Sequence, residues 1–298
     1  MQELLRFLKR WAAEFEDQIV GFENSLTGQL ERLQRELYEY LETAVLDIDT
    51  ENGVIKNTPR NIRRYIDADQ QIAAFNRSAN MEQHMARFAG TLMEAVPTQS
   101  RYFAGIGLRL TQDNIQASGD MLRAVLGIGG DGTLLAGGYL DRLLQADQLR
   151  AEVANYVSNS VASGRSFREY RAGLKQLILG GQGVNGALVQ YWQQYAYDTY
   201  NRSNELVSKF VADEMGLNYF IYQGSIIDTT RPFCSKKAGK VFSRAEALRW
   251  KNDPDLIDKK TVAQYNPFID RGRYNCRHFL QWISDELAFE LRPELKKD

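Results

Sequence analysis

Along the first 48 residues the apolar positions recur without a break at Leu8, Trp11, Phe15, Ile19, Phe22, Leu26, Leu30, Leu33, Leu37, Leu41, Ala44 and Ile48. The steps repeat as three, four and four. Such an eleven-residue repeat, near 3.67 residues per turn, predicts one long amphipathic helix with little supercoil. At a rise of 1.5 Å per residue it would be about 65–70 Å long. Gly21 and Gly28 fall inside it, each weakening the helix by up to ~1 kcal/mol. The stripe has two readings. It packs on the chain's own later helices, or its central run, Trp11, Phe15, Ile19, Phe22, Leu26, Leu30, Leu33 and Leu37, is a partner-binding face.

The pattern then changes. Asn52-Gly53 between short β-prone pieces predicts a hairpin turn. Thr58-Pro59 follows as N-cap and first helical residue. Helical periodicity runs from about 59 to 126, broken near Pro97, and His84 within it is read as a surface or packing histidine. The glycine-rich "GIGGDGTLLAGG" spans 127–138. Helices resume at about 139–159, 166–178 and 185–215, the second capped by Ser166 and the third ended by Gly216. Tyr191, Trp192, Tyr195 and Tyr200 on the third are read as core. Beyond Gly216 come a β-prone "LNYFIYQG", a turn "DTTRPFC", a short strand "GKVF", a helix capped by Ser243 and a strand-like "RYNCRHFLQWIS". The fold class is therefore mainly α: a long N-terminal helix (1–48), a helical middle region (49–216) and a small α+β C-terminal domain (217–298). Strands and helices do not alternate, which excludes a parallel-sheet nucleotide fold.

Composition sharpens this only a little. Of the 298 residues 25% are charged and 44% hydrophobic, as in globular proteins, and the net charge is −1. No apolar run approaches the ~20 residues that span a bilayer, so no membrane is expected. No signal peptide is read, and two cysteines suit a reducing compartment. Charge is uneven. Residues 1–48 carry 5 basic against 10 acidic groups, and 217–298 carry 15 against 11.

"GGDGTLL" (129–135) matches the phosphate-binding stretch of NAD kinase and diacylglycerol kinase families, in which the Asp131 position aids catalysis. Those enzymes need a multi-stranded α/β domain, and helical segments flank this stretch on both sides. It is read as a helix-to-helix loop.

The chemistry-bearing residues gather near the end. Cys276 and His278 share "RGRYNCRH", and Cys234 ends "IDTTRPFC". If Cys276 and His278 lie on a strand, they point to one face. With Cys234 they offer three ligands of types zinc favours, and Asp228 or water could supply a fourth. A reduced structural pair and a disulfide are the other readings. A Cys–His catalytic dyad would need direct contact, which strand spacing makes awkward. Arg231, Arg271, Arg273 and Arg277, with Asp228 and Asp270, are read as a network of arginine–carboxylate pairs. No catalytic residue and no small-molecule substrate are assigned.

These residues also carry a resemblance. Tyr222, Gly224, Asp228, Thr229, Arg231, Cys234, Gly239, Lys240, Phe242, Asn275, Cys276, Arg277 and His278 follow the pattern of the C-terminal domain of the phage Mu protein F-like family, the minor head or head morphogenesis proteins of tailed phages. The similarity covers about residues 185–298. Many members carry a C-x₂-C … C-x-C set resembling a zinc site, in which Arg231 and His278 here replace two cysteines. This implies either no cofactor, with arginine–aspartate pairs in place of metal, or zinc at Cys234, Cys276, His278 and Asp228. It also implies a virion protein of the inner head or portal region, assembled in the host cytoplasm. Its partners would be the portal or major capsid protein, and packaged DNA is a further candidate. Two alternatives are an enzyme resembling ADP-ribosyltransferases and a DNA-binding module. The first needs a Glu-x-Glu pair, which occurs only as Glu14 and Glu16 in the front helix. The second would use the arginines of the last domain.

Overall fold

The structure, a computed structural model, describes residues 2–257 and 264–297. It is mainly helical. Among the described residues no helix is long and apolar enough to cross a membrane. The first helix, α1, runs Gln2–Val45, three residues short of the end its stripe suggested, and passes through both glycines. The chain forms two compact units. One is built from residues 1–21, 90–125 and 197–298, the other from 22–89 and 126–196. These units do not follow boundaries at 48 and 216, because α1 and other helices contribute residues to both.

In the unit built from 22–89 and 126–196, Leu26, Leu30, Leu33, Leu37, Leu41 and Val45 of α1 are buried. Strands β1 (Thr50–Glu51) and β2 (Val54–Ile55) form the expected hairpin, with Asn52 and Gly53 at positive φ in the turn. The buried Asn61 side chain donates to the carbonyls of Asp49 and Lys56 and accepts from the Asp49 N–H, fixing the hairpin's base. Helix α2 (Pro59–Phe75) begins as its sequence predicts, with Asn61 N–H donating to Thr58 Oγ1. The unit also contains most of α3 (Ala79–Met93). The residues after α3 form α4 (Ala95–Gly105) and α5 (Gln112–Leu126), which belong mainly to the other unit.

The glycine-rich stretch is indeed a loop between helices. Asp131's carboxylate accepts from the N–H and hydroxyl of Thr133, and Gly129 N–H donates to the Thr133 carbonyl. The single helix expected over 139–159 is two, α6 (Tyr139–Gln145) and α7 (Asp147–Ala162), divided at Ala146, whose φ is 49°. Helix α8 (Phe167–Leu179) is capped by Ser166 and followed by a short hairpin, β3 (Gly180–Gly181) and β4 (Val184–Asn185), that the sequence did not suggest. Helix α2 packs on α7, and Arg150 grips Asp69 through two N–H groups at 2.7 and 2.8 Å. Helix α9 (Ala187–Glu214) buries Trp192 against His84 and Phe88.

In the unit built from 1–21, 90–125 and 197–298, Leu8, Phe15 and Ile19 of α1 are buried and Trp11 is half-buried. A three-stranded antiparallel sheet has the order β6–β5–β7, with β5 at Tyr219–Gln223, β6 at Val241–Ser243 and β7 at Phe279–Ile283. The register places Phe220 opposite both Phe242 and Trp282. Around Phe220 stand Trp250, Phe268 and Trp282 at ring distances of 5.0–6.1 Å, mostly edge to face, the favoured aromatic geometry. Helix α1 lies on β7: Trp11 and Phe15 meet Phe279 at 5.7 and 4.9 Å, and Gln281 Nε2 donates to the Leu8 carbonyl. Tyr102 donates to the Trp282 carbonyl at 2.5 Å. Short helices α10 (Pro232–Ser235), α11 (Arg244–Leu248), α12 (Pro267–Asp270) and α13 (Asp285–Leu291) fill the connections. Helix α11 opens on a complete Ser243–Glu246 capping box.

The stripe of α1 is thus covered within the chain. Of the residues assigned to a partner face, Phe15, Ile19, Leu26, Leu30, Leu33 and Leu37 are buried, and Trp11 and Phe22 pack on aromatic neighbours. That assignment is corrected: a seam filled by the chain's own side chains is not offered to another subunit.

His84 is 2% exposed, its Nδ1 3.3 Å from Gln29 Oε1 and its Nε2 without a partner. Burial, helped by the Arg87 charge, lowers its pKa to about 4. The unfolded chain therefore binds a proton at pH 4–6.5 that the folded chain refuses, and this share of stability is present above the unfolded pKa and lost as pH falls toward 4. Between pH 7.5 and 5 the loss should be about 2 kcal/mol. Urea unfolding of wild type and His84→Gln at both pH values checks this; the variant should lose less on acidification, by about that amount.

Candidate metal centre

Two loops meet on the sheet that contains β5 and β7. Residues 224–231 leave β5 and residues 271–278 lead into β7. The second loop is not the strand the sequence suggested: Cys276 and His278 precede β7, after a backbone that turns through positive φ at Arg271, Arg273 and Asn275. Cys234, on α10, faces them. The candidate ligand atoms of Cys234, Cys276 and His278 all lie within 4.8 Å of one another, and all three side chains are buried.

The glycines show how closely the loops approach. A Cβ on Gly272 would stand 2.3 Å from Cys234 Sγ and 3.1 Å from Cys276 Sγ. A Cβ on Gly224, whose φ is 139°, would stand 2.8 Å from the His278 backbone. Tyr222 of β5 completes the centre. Its hydroxyl donates to Cys234 Sγ at 3.4 Å and lies 3.6 Å from Cys276 Sγ, and its ring stacks on His278 at 5.1 Å. Gly239 and Lys240 extend the ladder beside it, through Gly239 N–H to the Tyr222 carbonyl and Tyr222 N–H to the Lys240 carbonyl.

The two thiols are free, with sulfurs 3.8 Å apart. Their acidities are shifted in opposite directions. A hydrogen bond from Cys234 first, then His278 and the Arg271 charge, holds the Cys276 thiol well below its ordinary pKa. The same hydrogen bond, with burial, pushes Cys234 up.

Beneath the centre lies a buried ion pair. Arg271, 2% exposed, reaches Glu205 Oε1 of α9 at 3.3 Å and donates to the His278 carbonyl at 2.8 Å. Glu205 also accepts from Leu280 N–H at 3.1 Å. Burial raises the Glu205 carboxyl to about 7, with Arg271 opposing that shift. Arg231 donates to the carbonyls of Gly272 and Tyr274 at 2.7 and 2.5 Å, and so ties the first loop to the second.

Two sequence readings change here. Asp228 is exposed and stands outside the ligand group. The arginines do not pair with Asp228. Arg271 uses Glu205, Arg231 uses backbone carbonyls, and Asp270 is taken by Arg202 of α9 at 2.9 Å. Thr229, Asn275 and Arg277 line a cavity of about 50 Å³ over the cysteines. Sequence reasoning missed Glu205, Tyr222's hydroxyl and Asp198, which accepts from Asn275 N–H at 2.6 Å. Glu205 carried no signal in the sequence, since its helical neighbours Asn201, Arg202, Ser208 and Lys209 are all polar.

Zinc with Zn–S distances near 2.3 Å in tetrahedral geometry sets two sulfurs ~3.8 Å apart. The Cys234–Cys276 separation equals that edge, and His278 Nε2 is buried without a partner. These residues fit zinc with three protein ligands; bound there, the metal would cross-link the loops. No family model, curated protein or solved structure matches the chain.

Two measurements check this chemistry. Metal-free full-length protein, titrated with zinc against a chromogenic chelator, should take up one equivalent and lose it on Cys276→Ser; no uptake would leave a hydrogen-bonded dithiol. Arg271→Met strands Glu205 as an unpaired buried acid and should cost about 3–5 kcal/mol in urea unfolding. Adding Glu205→Gln should restore part of that loss.

Proposed function

We propose that this chain is a minor head protein of a tailed phage, a structural component of the portal or inner capsid region acting in head assembly or DNA delivery. The observation that carries the reading is convergence. Tyr222, Gly224, Arg231, Cys234, Cys276 and His278, which carry the resemblance to Mu F-like head proteins, span 57 positions of sequence yet meet around one buried centre. A pattern of residues that assembles into one tertiary lock is stronger support than the same residues scattered.

The centre's geometry favours a structural role over a catalytic one. Cys276 and His278 are 2% and 3% exposed, and the cavity above them, about 50 Å³, has room for a water or two but for no substrate. With the apolar stripe of α1 covered, docking would use exposed parts of the chain, the polar face of α1 among them.

Co-expression with the portal protein of the same phage tests the reading. Full-length chain should co-purify with the portal, and so should a variant carrying Trp11→Ala, which alters the former partner face. No capture of wild type would remove the portal-bound role.

A further inference from the structure

The three-stranded sheet has two faces, and they are covered differently. On one, Phe220 is enclosed by Trp250, Phe268 and Trp282. The other carries Ile221 of β5, Val241 of β6 and Gln281 of β7, which stand in register. Helix α1 covers the β7 side of this face, where Gln281 Nε2 holds the Leu8 carbonyl and Trp11 and Phe15 meet Phe279. On the β6 side there is a cavity of about 630 Å³. Leu5 and Leu8 of α1, Ile221, Val241, Phe242 and Leu291 of α13 make its apolar lining. Small-molecule sites are apolar hollows of about 300–1,000 Å³ with a few placed polar groups.

Most of the polar lining is engaged within the protein. Gln223 Nε2 donates to Gln281 Oε1 at 3.1 Å, Gly239 N–H to the Tyr222 carbonyl, and Arg292 to the Val241 carbonyl. Glu246 and Glu294 also line the cavity, and Arg292 holds both, at 2.7 and 3.2 Å. Lys9 and Lys240 differ. Both are exposed at the edge of the cavity, and neither has an ion-pair partner among the described residues. The lining therefore carries a net charge of +1, from Lys9, Lys240 and Arg292 against Glu246 and Glu294. Adjoining turns do not reverse it. Glu3, Arg6, Glu290 and Lys296 cancel, and Arg10–Glu14, Lys236–Asp255 and Lys237–Asp253 are neutral pairs. Asp285 and Glu286 stand at the opposite end of α13 from Leu291.

We propose that this cavity binds a single aliphatic chain with an anionic head, a fatty carboxylate. The chain lies on the apolar lining, and the head meets the Lys9 and Lys240 ammonium groups. An extended peptide would bring N–H and C=O groups that this lining, with its own polar groups engaged, would leave unpaired; an alkyl chain brings none. An ammonium is a point charge and does not read the shape of its anion, so a phosphate head on the same chain is equivalent chemistry. The inference does not rest on the head-protein reading, and portal capture bears only on that reading.

The experiment is calorimetric titration of full-length protein with decanoate and dodecanoate. One equivalent of dodecanoate should bind, about fifteenfold more tightly than decanoate, since each further buried methylene contributes about fourfold. Lys9→Gln/Lys240→Gln should weaken it about tenfold, as for loss of hydrogen bonds to a charged group. Leu5→Gln should weaken it by a similar factor, about tenfold, through lost apolar contact. Dodecyl phosphate should bind within about threefold of dodecanoate, and dodecyltrimethylammonium should not bind. No binding, many weak equivalents, indifference to chain length, equal binding of the cation, or binding unmoved by either variant would overturn the inference. The chain-length series uses wild type alone, so it stands even where a variant fails to fold. A chain that ignores dodecanoate but dimerises in light scattering, with Leu5→Gln returning it to monomer, would also overturn it, since the cavity would then be an interface between copies.

Discussion

A guanidinium cannot be left alone inside a protein, and the C-terminal loops are organised around that constraint. Arg271 is fully enclosed, so it needs an anion and acceptors within reach. Glu205 of α9 supplies the anion, and the His278 carbonyl accepts a hydrogen bond. Because Glu205 also holds Leu280 N–H, the same carboxylate joins α9, the 271–278 loop and the start of β7. Arg271 itself sits at φ 46°, a conformation its neighbours must impose, and Tyr265 donates to its carbonyl at 2.6 Å. On this base the cysteines, Tyr222 and His278 are brought together, and Arg231 ties the second loop to the first.

Much of the local structure was legible because its causes are local. The Asn52-Gly53 turn, the Thr58, Ser166 and Ser243 caps and the long α1 stripe each follow from a few adjacent residues, and each forms where expected. What the sequence concealed is non-local. The compact units draw on separated stretches of chain, since single helices such as α1 and α9 contribute residues to both. No composition shift at residue 48 or 216 reports that. Cys276 and His278 converge through three positive-φ residues rather than through strand alternation, and a β-prone reading of "RYNCRHF" passes over them. Glu205 and Asp198 lie about seventy residues from the loops they hold, and nothing near them in sequence marks the pairing.

An apolar stripe in sequence says only that a face must be covered, and in α1 the chain covers its own. Exposed apolar side chains remain elsewhere after folding, among them Ile62, Tyr65 and Ile66 on α2, and Ile226, Ile227 and Tyr274 on loops fixed from below by an ion pair and a Cys–Cys–His cluster. Fold, centre and surface therefore form one chain of causes: the sheet positions the loops, the buried groups hold them, and the held loops present Ile226, Ile227 and Tyr274.

Amide hydrogen exchange followed by mass spectrometry, comparing full-length wild type with Cys234→Ser/Cys276→Ser, tests that dependence most directly. Exchange in residues 225–231 and 272–278 should rise about tenfold or more, while α2 and α7, in the other compact unit, keep their protection. Unchanged exchange in both loops, or an equal rise throughout the chain, would contradict the claim that the buried centre is what holds them.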